Sequence, residues 1–313
     1  MASEEITAPI LVLVGPTAVG KTELSLQLAD RFQAEIVNVD SMQVYRYLDI
    51  GTAKPNKEEL QRVRHHLIDI VDPDEHYDAA AFARDARAAV KDIIRRGKMP
   101  LFTGGTGLYL LAFLYGIFEI GDIPGGLRKK IKQRLKYEGR GVLHLELQQV
   151  DPESAARIHR HDTQRLVRAL EIYYATGTPW SVHLKRQRAS EKRCCYANVL
   201  QVALDVERST LYERINRRTR IMVEQGLREE VEKLLHMGYG PALKPMQAIG
   251  YRHLVNYLQG RWEWDQTIDL LARDTRRYAK RQFTWFRRRP ELEWFARDDA
   301  QAIENRVNAW LQR

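Results

Sequence analysis

The chain of 313 residues is poor in cysteine and lacks long apolar runs, and each absence excludes a class of protein. Its only two cysteines, Cys194 and Cys195, are adjacent and cannot form an ordinary structural bridge, which excludes a disulfide scaffold. No run approaches the roughly 20 apolar residues that a membrane-spanning helix needs. The N-terminal segment carries acidic residues where a signal peptide needs basic ones. We therefore expect a cytoplasmic protein without a membrane anchor.

The composition that is present is typical of a folded protein. Hydrophobic residues make up 44% of the chain and charged residues 29%, which excludes a disordered or collagen-like chain. At roughly 150 residues per domain, the length predicts two domains or one large domain with an insertion. The 50 Lys and Arg residues exceed the 41 Asp and Glu residues, and the resulting net charge of +9 favours a polyanionic partner.

Strand and helix patterns alternate in the N-terminal third, which predicts a parallel sheet with helices on both faces. The predicted strands are 9–14, 35–39, 66–70, 99–103, 198–204 and 292–296. The predicted helices outside the middle of the chain are 22–32, 79–96, 210–235, 270–287 and an amphipathic terminal helix with Ile303, Val307, Trp310 and Leu311 on one side. Residues 122–195 contain basic segments of helical period. We therefore expect an α/β core domain of residues 1–121 and 196–313 with a helical insertion domain at 122–195.

The strongest motif lies directly after the first predicted strand. The sequence Gly15-Pro16-Thr17-Ala18-Val19-Gly20-Lys21-Thr22 fits G-x-x-x-x-G-K-[ST] between a strand and a helix. Its glycines let backbone N–H groups and the helix N-terminus face a diphosphate, while Lys21 adds charge and the Thr22 hydroxyl can ligate Mg²⁺. A chance glycine turn is the weaker alternative. The motif predicts a diphosphate site without identifying the molecule that carries the diphosphate.

Two further strand ends carry functional groups. Asp40 ends the second strand, where a carboxylate near a diphosphate could act as a general base. The alternative is that Asp40 or Ser41 only caps a turn. Thr106, in the glycine-rich loop 103–107, could donate its hydroxyl to a phosphate oxygen, with a capping threonine as the alternative. Because parallel strands end at one edge, the sequence predicts a single crevice.

Basic residues are clustered at 157–168, 185–193 and 276–289, and aromatic residues interleave with the last cluster. Cations with aromatics suit phosphate contacts and base stacking on RNA, whereas the alternative is a set of solvated helix faces. The histidines at 65, 66, 159 and 161 lack zinc-site spacing, so we expect them to be structural or surface residues.

Taken in order, these motifs resemble the tRNA dimethylallyltransferases, also called tRNA isopentenyltransferases, over nearly the whole chain. The segments that carry the resemblance are 15–22 (GPTAVGKT), 40–46 (DSMQVYR), 49–55 (DIGTAKP), 104–109 (GGTGLY), 162–171 (DTQRLVRALE), 249–252 (IGYR) and 280–287 (KRQFTWFR). The resemblance implies a fold similar to P-loop kinases with a helical insertion. It implies transfer of a dimethylallyl group from dimethylallyl diphosphate to the exocyclic amine of the adenosine 3′ of the anticodon in tRNA, with Mg²⁺ as cofactor. Eukaryotic members of the family often carry an appended zinc finger. This sequence has none, and in that respect it resembles the bacterial members.

The resemblance also implies roles for individual residues. Asp40 would be the general base, while Thr106 and Arg218 would steady the diphosphate bridge, with Arg217 as the alternative to Arg218. Residues Gly15 to Thr22 would hold the diphosphate and Thr22 the metal. Contact with the anticodon arm, without a required protein partner, would involve Ser41, Met42, Gln43, Thr106, Arg128, Gln164, Arg165, Leu166, Val167, Arg168, Lys280, Arg281 and Gln282.

Two other functions compete with this interpretation. An ATP-dependent small-molecule kinase could use the same loop, with Asp40 as the base towards a hydroxyl, but the basic clusters would then have no purpose. A non-catalytic RNA-binding NTP switch would need a base-recognition motif of the N/TKxD kind, which the sequence lacks.

Overall fold

The computed structural model describes residues 6–116, 125–191 and 196–312. Cys194, Cys195 and the predicted insertion boundaries at 122 and 195 lie outside the described residues. The chain divides into two compact units, of which the first contains residues 1–114 and 195–313 and the second residues 115–194. None of the described helices combines the length and the apolar character that a bilayer crossing requires.

A six-stranded, all-parallel sheet forms the first unit. Its strands are β1 Ile10–Val14, β2 Ala34–Val39, β3 His65–His66, β4 Met99–Gly104, β5 Val199–Asp205 and β6 Glu293–Ala296. Their order across the sheet is β3-β2-β4-β1-β5-β6. Every residue of β1 and β2 is buried, as expected of inner strands that are covered on both faces. The predicted α/β fold with a parallel sheet is confirmed.

Helices connect the strands and form the second unit. They are α1 Lys21–Arg31, α2 Lys57–Arg62, α3 Ala79–Arg95, α4 Gly107–Tyr115, α5 Gly125–Val150, α6 Pro152–Arg157, α7 Thr163–Thr176, α8 Trp180–Glu191, α9 Arg208–Glu224, α10 Leu227–His236, α11 Tyr251–Leu258, α12 Trp264–Phe286 and α13 Ala300–Leu311, with a 3₁₀ helix at Pro245–Gln247. In α13, Ile303, Val307 and Trp310 join the sheet core as predicted, but Leu311 is 40% exposed. Consecutive helical residues point about 100° apart, so Trp310 and Leu311 cannot share one narrow face.

The second unit has a hydrophobic core of its own, formed by residues of α5, α6 and α7. Leu166 and Val167 of α7, which the resemblance implied as tRNA contacts, are 0% and 4% exposed in this core. Their side chains stabilise the helical unit, and the implied tRNA contact at these two positions stays a prediction. The spacing of Gln164, Arg165 and Arg168 on the other face of α7 leaves those three side chains accessible.

Two predicted elements differ from the structure because of the backbone. The strand predicted at 66–70 ends at His66, since Leu67 and Asp69 adopt positive φ angles of 64° and 55°, which lie outside the β region. The helix predicted at 210–235 is divided into α9 and α10 by Gly226, whose φ of 98° ends helical geometry.

Gly104, at the end of β4, is required by a close approach of two strands. A Cβ atom at this position would lie 2.2 Å from the Val39 carbonyl oxygen, so the backbone of β2 or β4 would have to shift. We expect Gly104→Ala to lower the free energy of unfolding by about 1–3 kcal/mol, as overpacking does. Gly240→Ala is the control, because nothing lies within 4 Å of its added Cβ, and we expect a change within about 0.5 kcal/mol. Denaturant unfolding of both variants measures the difference; equal stabilities would contradict it.

Candidate active site

The glycine motif forms a loop between β1 and α1 at the carboxyl edge of the sheet. Gly20 has a φ of 110°, which lets the chain turn into the first residue of α1. Lys21 donates from Nζ to the carbonyl oxygens of Gly15 at 3.0 Å and Pro16 at 2.8 Å. The loop and the N-terminus of α1 border a cavity of about 480 Å³ that Thr22 also lines. Backbone N–H groups, a lysine and a hydroxyl at one helix N-terminus suit a diphosphate.

Asp40 lies directly after β2 and lines the same cavity. Its Oδ1 accepts from the backbone N–H groups of Met42 at 2.8 Å and Gln43 at 3.3 Å, so the capping role considered from sequence is present. Within the described residues, no donor is bonded to Oδ2, which leaves this oxygen for a substrate proton. Burial raises the pKa of Asp40, although the two N–H groups and Lys21 oppose the shift. A carboxylate with a raised pKa is a stronger base.

Arg218 of α9, rather than Arg217, contacts the glycine loop. Its Nη1 lies 3.4 Å from Thr17 Oγ1, and its charge acts on both Lys21 and Asp40. Arg217 borders the cavity but is exposed. The sequence did not predict Arg214, one helical turn earlier, which donates from Nε to the Ala18 carbonyl oxygen at 2.8 Å and braces the loop.

Gln282 of α12 joins the two glycine-rich loops. Its Oε1 accepts from the Thr17 N–H at 2.8 Å, and its Nε2 donates to the Gly105 carbonyl oxygen at 3.0 Å. Gln282 is 6% exposed and acts as a structural bridge within the site, while the implied tRNA contact stays a prediction. Both hydrogen-bonding ends of the amide are occupied by backbone groups, which fixes the separation of the loops.

Thr106 also ties strand ends together. Its Oγ1 accepts from the Ser41 N–H at 3.1 Å, which holds the segment after Asp40 against the loop after β4. Thr106 is hydrogen-bonded to Tyr278 of α12, a residue that sequence reasoning missed. Burial and the nearby Asp40 raise the pKa of Tyr278, so its hydroxyl stays protonated beside Asp40. An aromatic interspersed among basic residues was the available signal, but it did not show which face of α12 Tyr278 occupies.

A second cavity, of about 290 Å³, adjoins the first and shares Thr17, Asp40, Arg218 and Tyr278 with it. Ser41 and Met42 line this second cavity, and Gln43 lines the first, so the structure brings these three predicted residues to the site. The remaining wall of the second cavity is largely apolar and includes Ile215, Met222, Ile249 and Leu271. Asp40 therefore stands between a polar space and an apolar one.

The segment 49–55, noted in the sequence without a role, is anchored by Glu230 of α10. The Glu230 carboxylate accepts from the backbone N–H groups of residues 49, 50 and 51 and from the Tyr251 hydroxyl at 2.6 Å. Gln43 donates from Nε2 to the carbonyl oxygens of Thr52 and Ala53. These contacts fix Gly51 and Thr52 where they line the apolar cavity.

The remaining predicted cations lie on helix surfaces. Lys280 and Arg281 are exposed on α12 in the first unit. In the second unit, Arg165 pairs with Asp162 at 2.7 Å, while Arg168 and Arg128 lie 2.7 and 3.6 Å from Glu171, which is 3% exposed. A buried carboxylate thus holds two arginines together, and both remain open to solvent.

A magnesium ion at this site would be coordinated mainly by oxygens of a bound diphosphate and of water. Among the described residues, no group of three His, Cys, Asp or Glu side chains could hold a metal. Thr22 and Asp40 nevertheless line one cavity, and Mg²⁺ commonly binds through one or two side chains together with phosphates and waters. The residues fit a metal that arrives with a diphosphate. His66 instead pairs with Glu35 at 2.7 Å, as a structural histidine does.

Lys21 gives the diphosphate site a measurable pH dependence. Burial and the nearby Arg218 lower the pKa of Lys21 to about 7, so much of the empty protein carries a neutral lysine above that pH. A bound diphosphate would raise this pKa, because its negative charge favours the ammonium form. At about pH 8 we expect binding of inorganic diphosphate to take up as much as about one proton, and affinity to fall as pH rises.

Calorimetric titrations in two buffers of different ionisation enthalpy measure this uptake. Lys21→Met is the control, since any proton exchanged by the diphosphate itself persists in that variant. Equal proton uptake by the parent and the variant would contradict the role of Lys21.

Comparisons with known proteins agree with this geometry. The family model described as IPP transferase matches residues 43–289. A tRNA dimethylallyltransferase of Desulfotalea psychrophila is 50% identical over 309 residues, which cover 99% of this chain and 98% of that protein. The solved full-length tRNA isopentenylpyrophosphate transferase of Bacillus halodurans is 39% identical with a TM-score of 0.71, over 99% of this chain and 97% of that one.

A eukaryotic dimethylallyltransferase, solved in snapshots of its action on tRNA, is 29% identical with a TM-score of 0.78, over 94% of this chain and 75% of that chain. The family model and the relatives extend over both units of the chain rather than over the glycine loop alone. The resemblance drawn from the ordered motifs is thereby confirmed, and this chain belongs to the IPP transferase family.

Proposed function

We propose that this protein transfers a dimethylallyl group from dimethylallyl diphosphate to the exocyclic amine of the adenosine 3′ of the anticodon in tRNA, which gives isopentenyladenosine. The observation that carries the proposal is the position of Asp40 between a polar cavity at the glycine loop and an apolar cavity. A donor with a diphosphate at one end and a five-carbon apolar group at the other matches that pair of cavities.

The glycine loop and its basic neighbours bind the leaving diphosphate. As the carbon–oxygen bond of the donor breaks, negative charge grows on the diphosphate, and the N–H groups of the loop, Lys21 and Arg218 lie where they stabilise it. Thr22 would hold Mg²⁺ together with the diphosphate, and the ion would supply further neutralisation of that charge. The groups are already held in place by Arg214 and Gln282, so little reorganisation is needed during the reaction.

The apolar cavity orients the dimethylallyl group beside Asp40 and limits the access of water. Exclusion of water matters because water would compete with the adenine amine for the allylic carbon. The amine is a poor nucleophile while it keeps both protons, and Asp40, whose Oδ1 accepts from the backbone, would accept one of them at Oδ2. To reach this site the adenine must leave its stack, at a cost of a few kcal/mol that contacts elsewhere on the RNA can offset.

An ATP-dependent small-molecule kinase is disfavoured. The relatives described above are named as transferases that act on tRNA, two of them at 39% and 50% identity, and none is named as a kinase. The wall of the cavity beside Asp40 is also largely apolar along Ile215, Met222, Ile249 and Leu271, which suits a prenyl group better than a hydrophilic acceptor.

A labelling experiment decides between the two functions. The purified protein alone, with Mg²⁺ and unmodified tRNA, receives either dimethylallyl diphosphate labelled in the prenyl group or ATP labelled in the γ-phosphate. We expect prenyl label to appear in tRNA without a further protein. If label is transferred from ATP and none is transferred from dimethylallyl diphosphate, the kinase alternative would replace the proposal.

The surface cations are proposed to bind the phosphates of the anticodon arm. We expect Arg165→Ala, Arg168→Ala, Lys280→Ala and Arg281→Ala each to weaken tRNA binding and to reduce the slope of log affinity against log salt by about 0.7–0.9 for each phosphate that is no longer neutralised. Each of these side chains would release a counterion from the RNA, whereas the donor is bound inside the cavity.

Salt titrations of tRNA binding measure these slopes. Arg84→Ala is the control, because Arg84 is an exposed arginine on α3 that pairs with Asp85. Donor affinity should stay unchanged in all five variants. If the slopes of the four test variants equal that of the parent, these residues do not bind RNA phosphates and belong to solvated helix faces.

A further inference from the structure

Helix α12 presents two faces to two different spaces. Leu271, Thr275, Tyr278 and Gln282 face the candidate active site. Lys280, Phe283, Thr284 and Arg287 line a separate cavity of about 660 Å³, which we name the Trp294 cavity. Its other walls come from the ends of β5 and β6 and from the first turns of α9. Both spaces therefore lie at the carboxyl edge of one sheet, and α12 divides them.

The Trp294 cavity combines flat aromatic rings with guanidinium groups. Phe283 and Trp294 stack with ring centroids 6.1 Å apart and an angle of 18° between their planes. Arg287 lies 5.3 Å from the Phe283 centroid, and Arg208 lies 5.0 Å from that of Tyr212. The three rings are only partly buried. Aromatic and guanidinium faces of this kind are the surfaces on which unpaired nucleobases stack.

Charge favours a phosphate next to such a base. Arg208, Lys280 and Arg287 are exposed at the cavity. Two carboxylates are also present, but Glu207 is occupied as the N-cap of α9 and Asp205 lies 3.7 Å from Arg287. The three cations exceed the two acids by one positive charge, and among the described residues no ion pair involves Lys280. The cavity thus offers a stacking surface together with a cation for an adjacent phosphate.

We propose that the Trp294 cavity binds one unpaired nucleotide of the tRNA substrate, distinct from the adenosine that is modified. The base stacks on Trp294 and Phe283, and Lys280 contacts the adjoining phosphate. This inference rests on the proposed function, because an RNA loop that places one nucleotide beside Asp40 brings a second one to the same sheet edge. Such a contact would supply part of the binding free energy that offsets unstacking of the target base.

The first test compares tRNA affinity among matched variants. We expect Trp294→Leu and Phe283→Leu each to weaken binding of unmodified tRNA by about 5- to 100-fold, the range that loss of one base stack gives. Trp294→Phe keeps an aromatic face and should stay within about threefold of the parent. The control is Trp264→Leu, since Trp264 packs on Tyr257 at the other end of α12 and should change affinity by no more than about twofold.

The second test changes the RNA as well as the protein, so its measurements on the parent do not depend on how a variant folds. A panel of anticodon arms, each with one abasic position other than the target adenosine, is titrated against the parent and against Trp294→Leu. We expect one abasic position to weaken binding to the parent as much as Trp294→Leu does, and to have no further effect in that variant. Additive losses at every position, or unchanged affinity of both leucine variants, would overturn the proposal.

Prenyl transfer by the parent to the same RNA is measured in parallel. Absence of transfer together with normal RNA binding would reject the proposed function, whereas transfer with unchanged affinity of the leucine variants would reject the nucleotide cavity alone. AMP is titrated as a free nucleotide. Binding of AMP that is lost in Trp294→Leu while tRNA affinity is kept would also overturn the proposal, since the cavity would then serve a small ligand.

Discussion

Asp40→Asn is expected to slow the chemical step of prenyl transfer by roughly 10²–10⁴, the range that loss of a general base gives. Asparagine keeps an Oδ1 atom that can accept from the N–H groups of Met42 and Gln43, so the turn after β2 should persist. What is removed is the carboxylate oxygen that can take a proton from the adenine amine. Donor and tRNA affinities should therefore change little.

Single-turnover transfer with labelled donor bound in advance measures this effect. In the parent the rate should rise with pH through the raised pKa of Asp40, because only the ionised carboxylate accepts a proton, and this rise should be absent in the variant. Asp72→Asn is the control, since Asp72 pairs with Arg46 and is partly exposed. A near-normal rate for Asp40→Asn would show that the base is another group.

Arg218→Ala should lower the rate of transfer by about 10²–10³, as removal of one preorganised donor to a developing anion does. The adjacent Arg217→Ala should leave the rate within about twofold of the parent, because Arg217 is exposed whereas Arg218 reaches Thr17. The two variants remove the same charge at neighbouring positions, which isolates the effect of position from that of net charge.

Single-turnover rates and donor affinities of the two variants provide the measurement. Arg218→Lys is a third arm and should restore only part of the rate, because an ammonium lacks the planar fork of the guanidinium. Equal rate reductions in Arg217→Ala and Arg218→Ala would contradict the assignment and would indicate a general electrostatic effect.

The fold could be predicted largely from hydrophobic pattern. Fully apolar runs such as the one that became β1 belong to strands buried on both faces, and their alternation with amphipathic segments indicates a parallel sheet. The pattern could not locate backbone breaks. Leu67 and Asp69 adopt positive φ although neither is glycine, and local sequence gives no reason for that conformation. The order of the strands also depends on packing between distant segments.

The candidate site was predictable where one motif brings its own geometry. The positions of the glycine loop and of Asp40 can be predicted because each comes directly after a buried strand, β1 or β2, and that strand fixes where it lies. The basic and aromatic composition of α12 predicts that Gln282 and Tyr278 lie near RNA. Only the structure shows that both side chains are on the face of α12 that lines the cavity. The anchoring of segment 49–55 by Glu230 spans about 180 residues and has no local signal. The resemblance alone implies Leu166 and Val167 as tRNA contacts, whereas the helical period of α7 places both side chains in the core of the second unit.

The bridge made by Gln282 also has a consequence for synthesis of the protein. Its hydrogen bond to Thr17 joins residues 265 positions apart. The glycine loop is therefore synthesised long before α12, the helix that supplies its bonding partner. A nascent chain therefore emerges from the ribosome with the glycine loop present but without the amide that sets its spacing from the loop after β4. Contacts of such long sequence separation form late, because loop closure must come first. Chains that end before α12 therefore lack the contact that sets the spacing of the two loops, and we expect the candidate site to be complete only when synthesis has passed α12.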